Sequence, residues 1–249
     1  MSKLFVPEGY LSRLSAYETR TAIGGIKRIF EDNLSRGLKL KYRAHNKYVL
    51  HVGEGLYTEI TEVRRDVEPD NLHSVYVKRW DWEKLIDSAF GNEDSLRRSV
   101  SAVVNAICDT ADKIKELYPA LSADLSRNVR FITMRQLEDI YPELTSQERE
   151  NAYLKECKTA FILHNGETVK SSAGHEEHVR KNDAWALYGN LVFWNDVSEC
   201  AMRVASIGLR AYEESSAERL RESPFTMGGR IGQSRLCMLL LQKAHIGEV

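Results

Sequence analysis

Two stretches of alternating hydrophobicity, GLYTEITEV (Gly55 to Val63) and LHSVYVKRW (Leu72 to Trp80), lie between two long helical periodicities. Alternation with period two marks strands that bury one face, and the two are read as antiparallel neighbours. The first helix is expected from Tyr10 to Arg36, with Ile23, Ile26, Ile29 and Phe30 close to helical spacing and Gly37 at its stop. Gly24 and Gly25 lower its helix propensity, so the helix either bends there or lets something pack closely. The second runs from Asp94 to Leu117, capped by Asp94 or Ser95, with Val100, Val103, Val104, Ile107 and Ile114 on one side. GLKLKYRA and KYVLHV are short β-like segments ahead of the alternating pair. After the second helix come a strand at NVRFITM, helices at RQLEDIYP and SQERENAYLKEC, and a strand at TAFILH. β character resumes at NLVFWN and AMRVASIGLRA before a glycine turn and a closing helix from Gln233 to Ala244. This order predicts an α+β fold with an antiparallel or mixed sheet flanked by helices. The βαβαβ rhythm of a Rossmann domain is absent.

A chain of 249 residues without an obvious linker is read as one domain over 1–249. The formal net charge of -1, with 29% charged residues, does not indicate nucleic acid or an anionic membrane as partner. Neither a signal peptide nor a run of bilayer length is present, so a cytoplasmic address is the expectation. Cys108, Cys157, Cys200 and Cys237 are far apart and form no CxxC pair, which suits buried or half-buried thiols in a reducing compartment. His175 and His178 have a metal-like spacing, but no third or fourth ligand stands near them in sequence, and no metal site is assigned.

The segment MGGRIGQSRLCMLLL, Met227 to Leu241, is neither a P-loop nor a GxGxxG fingerprint. Alone it reads first as a glycine turn that packs the last helix against the sheet, and second as a helix N-terminus that receives an anion.

Three collinear blocks change its meaning. GEGLYT, LHSVYV and WDWE, within Gly53 to Glu83, resemble the asparagine synthetase A family, the ammonia-dependent aspartate–ammonia ligases. GGxIGQSRLxMLLLQxxHIG, from Gly228 to Gly247, looks like that family's C-terminal signature, and NLVFWN through ASIGLRA is similar more loosely. The likeness covers most of the chain from Gly53 onward and fades over the helix and short strands of 1–52. It implies a class II aminoacyl-tRNA synthetase-like core and a homodimer. It implies a reaction in which ATP activates the side-chain carboxylate of aspartate as an acyl-adenylate for attack by ammonia. Such chemistry asks for fixed guanidinium groups around the phosphates. By the same resemblance Arg64 holds the α-phosphate and Arg235 lies over the adenine, with Leu72, Ser74 and Ser206 completing the nucleotide site. Asp81, Arg79, Asp183, Asn190, Arg180 and Arg210 fall at or near the substrate pocket.

The chain also departs from the family pattern. The stretch between the first helix and GEGLYT is shortened, and so is the one after Trp185, where ALYGN stands. Arginine stands at Arg79 for glutamine, at Arg203 for glutamate and at Arg230 for glycine, while Asn190 replaces an aspartate. Together these make the site about five charge units more positive than the family design. The glutamate is the residue that holds magnesium in class II enzymes, so either the metal is held otherwise or Arg203 supplies the charge itself. Three functions are therefore carried forward. The first is an ATP-dependent ligase acting on aspartate or a related small carboxylate. The second is a divergent paralogue whose basic pocket binds a nucleotide or another phosphorylated ligand. The third is acyl transfer to a larger acceptor such as RNA or peptide.

Overall fold

The computed structural model describes residues 6–43, 49–65, 67–87, 92–164, 185–210 and 225–249. The helices are α1 (Ala16–Leu38), α2 (Glu93–Leu117), α3 (Met134–Ile140), α4 (Ser146–Cys157) and α5 (Gln233–Leu240). The strands are β1 (Leu40–Tyr42), β2 (Gly55–Val63), β3 (Tyr76–Ile86), β4 (Arg130–Thr133), β5 (Thr159–His164), β6 (Trp185–Asn195), β7 (Cys200–Arg210) and β8 (Phe225–Gly232). They form an eight-stranded sheet in the order β1-β2-β3-β8-β7-β6-β5-β4. Only the outermost pairs, β1 with β2 and β4 with β5, are parallel. The expected α+β class and mixed sheet are what the structure has.

Side chains alternate across this sheet and divide it into two faces. One face is covered by α1 and α2. Phe30 of α1 lies 4.9 Å from the ring of Trp80, whose indole N–H donates to Glu31 at 2.9 Å. Trp80, Tyr57, Met227, Ile231, Ile207, Leu191 and Phe161 join the stripe Ala22, Ile26, Phe30, Leu34 and the α2 residues Val100, Val103, Val104 and Ile107 in one core. The amphipathic first helix therefore turns its apolar stripe inward. Among the described residues the other face is covered by helices at its β4–β6 side and the start of β7, where α3 and α4 enclose Ile132, Leu137, Leu154, Ile162, Val192, Trp194 and Ala201. Over β2, β3, β8 and the rest of β7, α3 and α4 leave it uncovered, and this region is termed the uncovered face.

Several expected boundaries move, for local reasons. The first helix begins at Ala16 rather than Tyr10, because Ser15 and Glu18 form a reciprocal capping box. It ends at Lys39, in a left-handed conformation with φ 58, and not at Gly37. It stays helical through Gly24 and Gly25, and a Cβ at Gly25 would sit 3.6 Å from Ile114 of α2, so close packing is the outcome there. The cap of α2 is Asn92, whose side chain accepts from the Ser95 N–H at 3.1 Å, rather than Asp94 or Ser95. Residues 49–54 of the KYVLHVGEG region are a turn containing Gly53 at φ +90, not a strand. The glycine turn is itself a strand: MGGRIG lies in β8, hydrogen-bonded on both sides. The closing helix stops at Leu240, and Gln242 takes φ 52.

Candidate functional site

On the uncovered face one register row crosses the sheet. Asn190 of β6 pairs with Ser206 of β7, Ser206 with Arg230 of β8, Arg230 with Asp81 of β3, and Asp81 with Thr58 of β2. Four residues singled out in the sequence thus stand side by side, although they come from positions spread between 81 and 230. Glycines at 208 and 228 occupy the neighbouring row and leave its centre without side chains.

A β-bulge adds Arg203 to the same face. Residues 203 and 206 would point to opposite faces of a regular strand. Here Leu191 pairs with Ala205 but Val192 pairs with Arg203, so Val204 is the extra residue. Val204 and Ala205 both join the helix-covered core. Arg203 turns instead toward α4 and donates to both oxygens of Glu150, at 2.7 and 3.4 Å. Glu150 is 1% exposed.

The arginine at 79 is held as firmly. Its Nε donates to Asp81 at 2.7 Å and its Nη1 to Glu62, one residue pair away on β2. Burial would lower the guanidinium pKa, but the hydrogen bonds it donates to Asp81 and Glu62 more than reverse this and raise it. Arg230 approaches the second Asp81 oxygen at 3.8 Å and is half exposed. Arg79 and Arg203 are therefore matched by carboxylates of the chain, and Arg230 also faces one, that of Asp81. The five-unit positive shift expected from the substitutions is reduced where Glu62 pairs with Arg79 and Glu150 with Arg203. Their pairing weakens the case for a basic phosphate-binding module.

Arg235 reaches from the first turn of α5 and joins two distant segments. Its Nε donates to the Leu72 carbonyl at 3.1 Å and its Nη1 to the Arg203 carbonyl at 3.0 Å. The loop that carries Leu72 is shaped by Asp70, which accepts the N–H groups of Leu72 and His73 at 2.7 and 2.6 Å and contacts His73 Nδ1 at 2.8 Å. Burial pushes the Asp70 carboxyl up, but the hydrogen bonds from His73 and the Leu72 N–H outweigh it and hold the pKa below the ordinary value. Ser74 accepts the Tyr76 N–H at 3.2 Å where β3 begins. Arg64 opens the same loop just beyond β2, with its N–H on the Val75 carbonyl at 2.8 Å and its Nε 4.0 Å from Glu62.

The neutral end of the row is buried. Ser206 Oγ donates to Asn190 Oδ1 at 2.7 Å, and Asn190 Nδ2 lies 2.9 Å from His164 Nε2 at the end of β5. The His164 ring stacks on Tyr188 with centroids 4.8 Å apart.

Asp183, Arg180, His175 and His178 lie outside the described residues, and of Arg210 only the backbone, at the end of β7, is described. Among the described residues no group of three His, Cys, Asp or Glu side chains is placed to hold a metal. The surroundings of Arg203 do not fit a magnesium ion at that position, since the guanidinium occupies both oxygens of Glu150. All four cysteines are free. Burial pushes the Cys108 thiol up to about 11 and that of Cys237 to about 12. Glu62, Asp70, Glu150 and His164 are the site neighbours that the sequence reading missed. Only Asp70 carried a local signal, the Asx-turn spacing in DNLH.

A family model described as aspartate–ammonia ligase matches residues 39–225 and 219–249. The aspartate–ammonia ligase of Clostridium perfringens strain 13 is 35% identical over 315 aligned positions, covering 100% of this chain and 94% of that protein. That alignment is longer than the 249 residues present here, so the relative carries segments that this chain lacks. The aspartate–ammonia ligase of Lactobacillus acidophilus is 41% identical over 231 residues, 85% of this chain and 69% of its own length. Among solved structures, Entamoeba histolytica asparaginyl-tRNA synthetase in complex with asparaginyl-adenylate superposes with a TM-score of 0.63 at 14% identity. The match covers 94% of this chain and 66% of the synthetase. The asparaginyl-tRNA synthetase of Pyrococcus horikoshii gives a TM-score of 0.58 at 12% identity, over 99% of this chain and 74% of that one. These likenesses establish the class II aminoacyl-tRNA synthetase fold.

Proposed function

The chain belongs to the aspartate–ammonia ligase family, and we propose that it joins aspartate to ammonia at the expense of ATP on the uncovered face of its sheet. A side-chain carboxylate oxygen of aspartate attacks the α-phosphorus, and the bond to the bridging oxygen breaks, so that pyrophosphate leaves with that electron pair. Ammonia then attacks the acyl carbon. AMP departs with the C–O pair, and the new amide nitrogen releases a proton to solvent.

What supports this reading is the link made by Arg235. Through the Leu72 carbonyl it ties α5 to the loop that Arg64 opens, so the two arginines belong to connected segments. In the proposed roles, Arg64 meets the α-phosphate and Arg235 spans the nucleotide, where fixed guanidinium groups stabilise charge that grows during attack and departure. Leu72, Ser74 and Ser206 line the nucleotide. Asp81, Arg79, Asn190, Arg210, Arg180 and Asp183 form the substrate side, with Arg230 between the two sides. Arg79 supplies rigidity to Asp81, whose outer oxygen faces Arg230. Arg203 sits behind Arg235, offering its carbonyl to it and its guanidinium to Glu150. No step passes through a metal held at position 203.

The same reading includes one catalytic domain over 1–249, a homodimer and a cytoplasmic setting. The apolar stripe of α1 is used within the chain, so in the proposed homodimer α1 would offer its outer side, where Tyr17 is 80% exposed. Four free thiols suit a reducing compartment. Among the described residues no helix is long and apolar enough to cross a membrane.

The deciding experiment offers ATP, magnesium, aspartate and 15N-labelled ammonia to the whole chain and follows AMP and labelled asparagine. Both should form in equal amounts. Arg64→Ala and Arg235→Ala should each lower kcat/KM by about 100-fold or more with the fold intact. Absence of aspartate-dependent AMP formation by the wild-type chain overturns the proposal.

A further inference from the structure

We propose that His164 is a positioning residue that fixes the direction of a three-strand hydrogen-bond relay, so that the Ser206 hydroxyl meets its ligand as an acceptor. The inference rests on the ligase reading for the identity of that ligand, and on geometry for the relay.

The relay runs from the interior to the surface. His164 and Asn190 are 9% and 3% exposed, whereas Ser206 is exposed on the uncovered face. Each member has a defined role. An amide nitrogen only donates, so Asn190 Nδ2 donates to His164 Nε2 across 2.9 Å and the neutral ring carries its proton on Nδ1. The Asn190 oxygen is then turned toward Ser206 and accepts the hydroxyl proton at 2.7 Å. A hydroxyl has one proton, and here it points away from the ligand side. Ser206 therefore presents lone pairs beside Arg230, its register neighbour. Stacking on Tyr188, with an interplanar angle of 5°, holds the plane of the imidazole so that Nε2 stays aimed at the Asn190 amide.

The consequence is a preference about ligand chemistry. A hydroxyl that accepts suits a ligand O–H or N–H group, and it does not suit a phosphate oxygen. On the proposed reaction two groups qualify, a ribose hydroxyl of the nucleotide and the ammonium of aspartate. An aspartate at position 190 would be an acceptor at both oxygens and would need a donor from position 164. Asparagine has one donor and one acceptor end, and His164 decides which faces Ser206.

The test combines steady-state kinetics with nitrogen NMR on the full chain. His164→Phe keeps an aromatic ring against Tyr188 and removes both ring nitrogens. It should raise KM by about tenfold for the ligand that Ser206 contacts and leave kcat within about twofold. A rise for ATP identifies the ribose, and a rise for aspartate identifies the ammonium. Ser206→Ala should raise the same KM, and adding His164→Phe to it should change that constant no further, because the histidine acts only through the serine. The chain has seven histidines, so loss of one set of 15N signals in His164→Phe assigns the ring. That ring should carry its proton on Nδ1 in the wild type, and the Nε2 signal should move in Asn190→Leu.

A proton on Nε2, independent effects of the two substitutions, or an unchanged KM for both ligands overturns the relay. If the wild-type chain makes no AMP, the ligase reading fails. The relay is then judged by the His164 tautomer and by calorimetric binding of ATP to the same variants.

Discussion

The two faces of the sheet are made by alternate residues of the same strands, yet they are held by different physics. On the helix-covered face Trp80, Phe30, Met227 and Ile231 need only shape and apolar surface, and any one neighbour is replaceable in principle by another of similar volume. On the uncovered face each arginine at a changed position stands against a particular carboxylate: Arg79 against Asp81 and Glu62, Arg203 against Glu150, Arg230 toward Asp81. Burial there is partial, and what matters is pairing. A substitution that looks like added charge in the sequence is in the structure one half of a neutral pair.

This contrast is open to attack from both sides. Phe30→Ala removes the ring packed on Trp80 and should cost about 3–5 kcal/mol of stability. Chemical denaturation measures it, and KM values of the surviving folded fraction should stay near wild type. If they change as much as stability does, the two faces are not separate in function.

The next largest effect belongs to the paired side. Arg203→Ala leaves Glu150 buried without its partner, which should cost about 3 kcal/mol. The double variant with Glu150→Leu should recover most of that loss, as removal of both members of a buried pair often does. Recovery in urea denaturation supports pairing as the reason for the arginine. Failure to recover assigns Arg203 a part in packing or in ligand contact.

The smallest effect sharpens the comparison at the loop. Asp70→Asn weakens the turn that presents Leu72 and Ser74 and should cost about 1 kcal/mol, with a larger change in KM for ATP than in melting temperature. Its pH dependence has a definite sign. The folded pKa of Asp70 lies below its unfolded value, so folding favours the ionised form. That contribution is whole above the ordinary aspartate value of about 3.9 and fades as pH falls through the lower folded value. Stability measured between about pH 5 and pH 2 should therefore fall less steeply in Asp70→Asn than in the wild type.

Local periodicity carried much of the fold. TAFILH and SQERENAYLKEC became β5 and α4 at their read boundaries, since each is a short segment whose composition and caps agree. The glycine-rich segment before α5 was misread for an equally physical reason. Glycine normally punctuates chains, but here it fills a central strand in which a Cβ at Gly229 would lie 2.7 Å from Trp82 Nε1. That contact is invisible without knowing that β8 inserts between β3 and β7. Site residues carried by family blocks were legible, and their partners were not. Glu62 lies 17 positions from Arg79, and Glu150 lies 53 from Arg203, distances over which no short-range pattern operates.

The bulge at Val204 gives β7 a reading frame. Its one surplus residue lets Arg203 and Ser206, three positions apart, look out of the same window. Flattening the bulge at unchanged length would restore a regular strand and turn one of the two into the aromatic and aliphatic interior, whereas deleting Val204 with it would leave both on the same face, two positions apart. A point substitution in β7 changes one side chain, whereas deleting one residue of β7 outside the bulge would exchange the inside and outside of the strand beyond it. Length is thus a more stringent constraint on this segment than composition, and natural variation along it is expected to conserve spacing before identity.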